Sequence, residues 1–405
     1  MATDVEVAIV GGGVMGACTA WRAALRGRDV AVFERFARGH AHGSSHGTAR
    51  IFRLAYPDAD YVAMAAGGMA LWDELEAASG VTLRNRVGAL DHGEPAEIAA
   101  IAANLTAVGI AHEELTPADV AARWPGLRCD RAAVFHPEGG TVDAGATVLA
   151  ALDVAEQAGA VVREECGVDR LEVLGDHAVL HTPDGPVSAQ VVVVAAGAWV
   201  GRVLGPRPPD GPVLGHRASL PPMVVTREQP VHYDLLDDVV DGPGDPWPSF
   251  IHYSHDGPPK TSGIDEPVWG YGLPTPDGRL KLGEHHTGEV VAWIAHDRPG
   301  VPPGGTAIDE PPVDHVAPVD EVSLERMRAY AREWVPGVVP ESGEPERCLY
   351  TTTPTTDFVL DRVGPVVVAA GFSGHGFKFA PRIGDLLADM ADGAPAPSAR
   401  FHLPT

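Results

Sequence analysis

The sequence is poor in cysteine, in basic residues and in long apolar runs. Its four cysteines, Cys18, Cys129, Cys166 and Cys348, lie far apart among 405 residues. There is no C-x-x-C pair and no cysteine spacing that builds a zinc site, so neither a disulfide framework nor a bound metal is expected. Basic residues number 30 against 55 acidic ones, a formal net charge of -25. A surface of that sign repels nucleic acid and anionic lipid, which removes both from the expected partners. The longest apolar stretch, Val191 to Val200, is about half of what a helix needs to cross a bilayer, so no membrane span is expected. The opening stretch, MATDVEVAIVGGGVMG, lacks the basic n-region and unbroken apolar h-region of a signal peptide. The expected setting is therefore a reducing cytoplasm.

What is present is a 45% apolar content, enough for one large or two medium domains. Val5 to Val10 reads as a strand, Gly11 to Gly16 as a loop, Ala17 to Leu25 as a helix and Val30 to Glu34 as a second strand. Apolar residues at helical spacing mark Tyr61 to Ala78 and Ala144 to Ala158. Pro183-Asp184-Gly185 is a turn between Ala178-Val179-Leu180 and the buried-type strand Gln190 to Gly197. Residues 205 to 320 are rich in Pro, Gly, His and Asp and read as loop-rich, interrupted by strand-like runs at Met223 to Thr226 and Arg279 to Leu282. Val322 to Trp334 is helical, and the strand Val366 to Ala370 runs through a glycine loop into a helix at Ile383 to Met390. The pattern predicts an α/β nucleotide-binding domain assembled from discontinuous pieces, with a second, mainly β domain between them.

Gly11, Gly13 and Gly16 fit G-x-G-x-x-G in the right context, with a strand before and a helix after. The loop Gly11 to Gly16, through Val14 and Met15, would meet a pyrophosphate at the helix N-terminus, and Glu34 would accept from ribose hydroxyls. This motif alone does not separate FAD from NAD. Arg50 and Arg53, in GSSHGTARIFR, suit recognition of a carboxylate or phosphate, because guanidinium is a planar fork; two surface arginines are the alternative. Tyr271 to Pro274 and Arg279 to His285 flank the turn Thr275 to Gly278 and form a hairpin. On its second strand Lys281, Gly283 and His285 share one face and Leu280 and Leu282 the other. Lys281 then points to solvent, the commoner outcome for lysine, or into a cavity. The glycine loop Gly371 to Lys378 offers backbone N–H groups and a positive helix end to a negative charge.

In this order the Gly11 loop, SSHGTARIFR, YGLP, KLGEH, CLYTTTP and GFSGHGFK make nearly the whole chain resemble the monomeric sarcosine oxidase and N-methyltryptophan oxidase family, FAD-dependent amine oxidases of the D-amino acid oxidase superfamily. The resemblance implies a Rossmann-like FAD-binding domain (residues 1–85, 144–215 and 345–398) and a mainly β substrate domain (86–143 and 216–344), in a monomer. It implies FAD joined to Cys348 by a thioether. Arg53 and Lys378 match the pair that grips the substrate carboxylate. Lys281 matches the lysine that activates O2 beside the flavin, which favours the cavity over solvent. His285 matches an active-site histidine, Tyr271 and Tyr350 match pocket tyrosines, and Arg50 and His46 lie near the flavin ring. The cofactor shell would include Arg35, Ser44, Ser45 and Thr48, then Ala196, Gly197 and Trp199 after the buried strand. From the closing loop it would take Gly371, Phe372, Gly374, His375, Gly376, Phe377 and Lys378.

The implied reaction oxidises the carbon–nitrogen bond of a secondary or cyclic amine or amino acid to an imine and reduces O2 to H2O2. The segment between Val231 and Trp269 departs from the family and leaves the amine open. A flavin-dependent dehydrogenase or hydroxy-acid oxidase on the same fold is the alternative. An NAD-dependent dehydrogenase would leave Cys348 and the GFSGHGFK loop without a role, and a non-catalytic flavin-binding protein would leave Arg53, Lys281 and Lys378 without one.

Overall fold

The computed structural model describes residues 3–205, 213–215, 218–237, 245–264, 266–294 and 318–404. Much of the Pro- and Gly-rich sequence read as loop, including most of GPRPPDGPVLG and all of DRPGVPPGG, lies outside these residues. So does part of the segment between Val231 and Trp269.

The fold is mixed α/β. At its centre five strands run parallel: Val366–Ala370, Gly185–Val194, Val5–Val10, Val30–Phe33 and Val161–Arg163. Their runs of valine, isoleucine and alanine do not alternate with polar residues because both faces are covered. Val5–Val10 lies between Gly185–Val194 and Val30–Phe33, so the loop that follows Val10 opens at the middle of the sheet. The helix Val14–Leu25 packs between Ala144–Gln157 and Ala380–Ala391. It passes the latter so closely that a Cβ on Gly384 would lie 2.5 Å from the Cys18 backbone. Cys18 is thus a packing residue at a helix crossing, fully buried.

This first helix begins at Val14, three residues earlier than the pattern indicated, and takes in Gly16. A Cβ on Gly16 would sit 1.9 Å from the Gly11 carbonyl oxygen. The last glycine of the motif therefore belongs to helix–loop packing, not to the loop itself. The helix Ala59–Ser79 is longer than Tyr61 to Ala78 at both ends, because Asp58 caps its start by accepting from the Asp60 amide and Gly80 ends it at φ 70°. The strand expected to run to Gly197 stops at Val194, and the closing helix starts at Ala380 rather than Ile383.

A second, eight-stranded sheet carries the hairpin Val268–Pro274 and Leu280–Glu284, turned at Thr275 to Gly278. Leu280 and Leu282 enter a core with Val231, Tyr233, Phe250 and Trp334, which turns Lys281 and Gly283 to the opposite face. The exposed alternative for Lys281 is thereby corrected: it is only 4% exposed. The strand Cys348–Thr352 joins neither large sheet but pairs with Met223–Glu228 in a three-stranded one. Among the described residues no helix is long and apolar enough to cross a membrane.

Candidate active site

A cavity of about 430 Å³ opens at the end of the parallel sheet. Its walls bring together Gly11, Gly13, Val14, Met15, Glu34 and Arg35 from the first unit and Ser44, Ser45, His46 and Arg50 from the next segment. Ala196, Gly197 and Trp199 close one side, and Cys348, Tyr350, Gly371, Phe372, Gly374, Gly376 and Phe377 the other. Gly16 lies in the helix behind, Thr48 is exposed and outside the walls, and His375 packs into a ring cluster with Tyr61 and Phe358 instead. Val162, Gly167, Val168 and Asp169 also line the cavity. No motif marked them; parallel pairing of Val161–Arg163 with Val30–Phe33 brings them there.

The walls suit a dinucleotide. No acidic residue occupies the first turn of the helix Val14–Leu25 and Gly13 gives no side-chain cap, which leaves amides and a positive dipole end for an anion. Trp199 Nε1 and Thr351 Oγ1 line the cavity, shielded from solvent and without a hydrogen-bond partner among the described residues. Glu34 accepts from the Gly12 amide at 2.6 Å and the Phe36 amide at 2.9 Å. Burial works against its charge, but the His40 side chain and these two amides override it and hold the carboxyl below its usual range. An anionic Glu34 keeps lone pairs for ribose hydroxyls. Gly11, at φ 104°, passes so near the neighbouring strand that a Cβ would lie 2.5 Å from the Ala195 carbonyl oxygen. Gly11→Ala is expected to lower the dinucleotide content of the purified protein at least about tenfold, read as the ratio of cofactor to protein absorbance, since such backbone strain costs about 1–3 kcal/mol before the clash is counted.

Three groups of side chains gather at the cavity walls and beyond them, with Arg53, Lys378, Lys281, Tyr271 and His285 outside the walls. In the first, the Arg53 guanidinium carbon lies 4.2 Å and Lys378 Nζ 5.3 Å from the centre of the Tyr56 ring. Arg53 Nη1 donates to Asp91 (2.6 Å), to Tyr253 Oη (2.9 Å) and to the Ala55 carbonyl, so Nε and Nη2 take no part in these bonds. Lys378 Nζ donates to Tyr56 Oη at 2.8 Å and to the His375 carbonyl. Burial, and then the Arg53 charge, push Lys378 well below the usual lysine range.

In the second group Lys281 Nζ donates to Glu346, which also lies 3.2 Å from His232 Nε2 and 4.0 Å from His46 Nδ1. Burial and the Arg50 charge lower Lys281, against the pull of Glu346. Burial opposes charge on Glu346 too, but the His232 and Lys281 contacts hold it well below the carboxylate range. Arg50 bonds the carbonyls of Ser44, His46 and Ala49 and lies 3.8 Å from Cys348 Sγ.

The third group is Tyr271, Tyr350, His285 and His286. The Tyr271 and Tyr350 rings lie 6.4 Å and 5.4 Å from the His285 ring. The closing loop is pressed against them: a Cβ on Gly374 would lie 2.3 Å from the Tyr350 ring. His285 lies just past the end of its strand at Glu284. Sequence reasoning missed Tyr56, Asp91, Tyr253, Glu266 and Glu346. For Glu346 a signal existed, an acid two residues before Cys348; the others carry none.

A family model described as FAD dependent oxidoreductase matches residues 6–390. The chain is similar to the peroxisomal sarcosine oxidase of Homo sapiens, with 29% identity over 95% of this chain and 92% of that protein. It is 28% identical to the N-methyl-L-tryptophan oxidase of Yersinia pestis over 97% of this chain and 96% of that one. Among solved structures, the open form of NikD, an amino acid oxidase essential for nikkomycin biosynthesis, superposes with a TM-score of 0.76 at 26% identity, covering 98% of this chain and 97% of that one.

Proposed function

Since the chain belongs to the FAD dependent oxidoreductase family, we propose that it oxidises the carbon–nitrogen bond of a secondary or cyclic amine or amino acid and reduces O2 to H2O2. The observation that carries this reading is the pair of buried cations, Arg53 and Lys378, on one tyrosine ring in a chain of net charge -25. Burying two like charges together is costly unless an anion completes them. Asp91 is one such anion, and the carboxylate of an amino acid is the second.

Arg53 and Lys378 then fix the substrate by its carboxylate, with Tyr271, Tyr350 and His285 around the amine end. Orientation by remote charge places the reacting carbon without the site having to recognise the amine strongly. The Gly11 loop, Glu34 and the cavity walls would hold FAD, which would supply the acceptor for the hydride equivalent and the route of the electrons to oxygen. Lys281 supplies a buried positive charge for the reduction of oxygen, oriented by Glu346. Cys348 is the point of covalent attachment, with Arg50 and His46 beside the ring. The FAD-binding domain comprises 1–85, 144–215 and 345–398 and the substrate domain 86–143 and 216–344, in a cytoplasmic monomer.

The test is peroxide release in air from the purified protein with sarcosine, N-methyltryptophan, proline, pipecolate and larger cyclic amino acids. Turnover of any of them supports the oxidase, and its side-chain preference reports on the pocket. Reduction by an amine followed by slow reoxidation in air would replace the oxidase with a dehydrogenase. Cys348→Ser is expected to release essentially all flavin into the supernatant on acid precipitation, whereas the parent protein keeps it in the pellet. Release from the parent protein as well would remove the thioether.

A further inference from the structure

Glu266, His285 and His286 bring one carboxylate oxygen and two imidazole nitrogens within 4.8 Å of one another. Glu266 Oε1 lies 3.3 Å from His285 Nε2 and 3.5 Å from His286 Nε2. A tetrahedral ion with bonds of about 2.0–2.1 Å holds neighbouring donor atoms roughly 3.3–3.4 Å apart. These two separations are therefore already close to edges of such a site. Two histidines and a glutamate are also a donor set that zinc uses where its fourth position stays open.

The backbone is bent to make this arrangement. Adjacent side chains on a strand point to opposite faces, and His285 and His286 would diverge if the strand Leu280–Glu284 simply continued. Instead His286 sits at φ 60°, a left-handed conformation that costs a non-glycine residue energy. Both Nε2 atoms then face the same oxygen. The His286 side chain is 0% exposed, yet among the described residues its Nε2 has no hydrogen-bond partner, and neither has Glu266 Oε1. His286 Nδ1 lies 3.4 Å from Thr352 Oγ1, the outer contact that orients a ligating imidazole. Lys260 bonds the carbonyls of Val268 and His285, not the Glu266 carboxylate.

We propose that Glu266, His285 and His286 form a binding site for one divalent transition-metal ion of the zinc class, ligated through Glu266 Oε1 and the two Nε2 atoms at the edge of the amine pocket. Binding withdraws His285 from that pocket, so occupancy stops amine oxidation. The inhibition rests on the function proposed above; the metal binding does not.

The experiment titrates zinc chloride calorimetrically into chelator-treated holoprotein and counts bound zinc by emission spectrometry after dialysis. One equivalent is expected to bind. Glu266→Gln and His286→Asn should each weaken it by at least about tenfold, with the flavin absorption spectrum showing that each variant is folded. No saturable binding, or undiminished binding in the folded variants, overturns the site. Peroxide release with an accepted amine should cease at full occupancy, and its persistence overturns the inhibition. Because zinc is counted without turnover, failure of the metal site and failure of the amine oxidase reading remain separate results.

Discussion

Replacing Lys281 with methionine is expected to slow reaction of the reduced enzyme with oxygen by about 10²–10³-fold, the usual cost of losing one preorganised charge at a developing anion. Reduction by the amine should change little. Methionine fills much of the lysine stem's volume in a position that is 4% exposed, so packing on the face of Leu280–Glu284 survives. Glu346 keeps its His232 contact. The checking measurement is stopped-flow: the anaerobically reduced protein is mixed with oxygenated buffer, and the half-reaction with amine is followed separately. Equal loss in both half-reactions would show that Lys281 supports the site's structure and does not act on oxygen.

Arg53→Met is expected to cost both stability and substrate binding, and the two losses are separable. Asp91 is fully buried, and its Oδ2 has no hydrogen-bond partner among the described residues. Removing Arg53 leaves that carboxylate without its counter-charge, which typically destabilises a fold by about 3–5 kcal/mol. Adding Asp91→Leu removes the stranded charge and should recover most of that loss in a thermal melt. Binding should not recover. Loss of charge-assisted hydrogen bonds worth about 1.5–3 kcal/mol lowers kcat/KM for a carboxylate-bearing amine by roughly 10–100-fold in the single and double variants alike. If the double variant regained normal kcat/KM, Arg53 would be a structural partner of Asp91 only.

Much of the parallel sheet was legible because its signals are local. The strand Val5–Val10, its glycine loop and the next helix are neighbours in the chain, and each residue type there answers a backbone demand. The helix start was misplaced by three residues for an equally physical reason: Gly16 looks like loop until its contact with the Gly11 carbonyl is seen. Period-two alternation on Leu280–Glu284 separated Leu282 from Lys281, yet alternation states only which face a side chain takes. That the face is closed is a property of the elements packed over it. His285 and His286 show the converse. Alternation separates them, and a single left-handed residue brings them back together.

The sequence by itself determined the family and the nucleotide-binding start, because composition, order and short spacings suffice for both. It also singled out Arg53, Lys281 and Lys378 as cations worth explaining in an acidic chain. Only the tertiary structure decided which groups answer them. A buried cation needs an acceptor, and among 55 acidic residues no spacing selects Asp91 for Arg53 or Glu346 for Lys281. Those choices are made by strand register and sheet crossing, which bring together residues 38 and 65 positions apart.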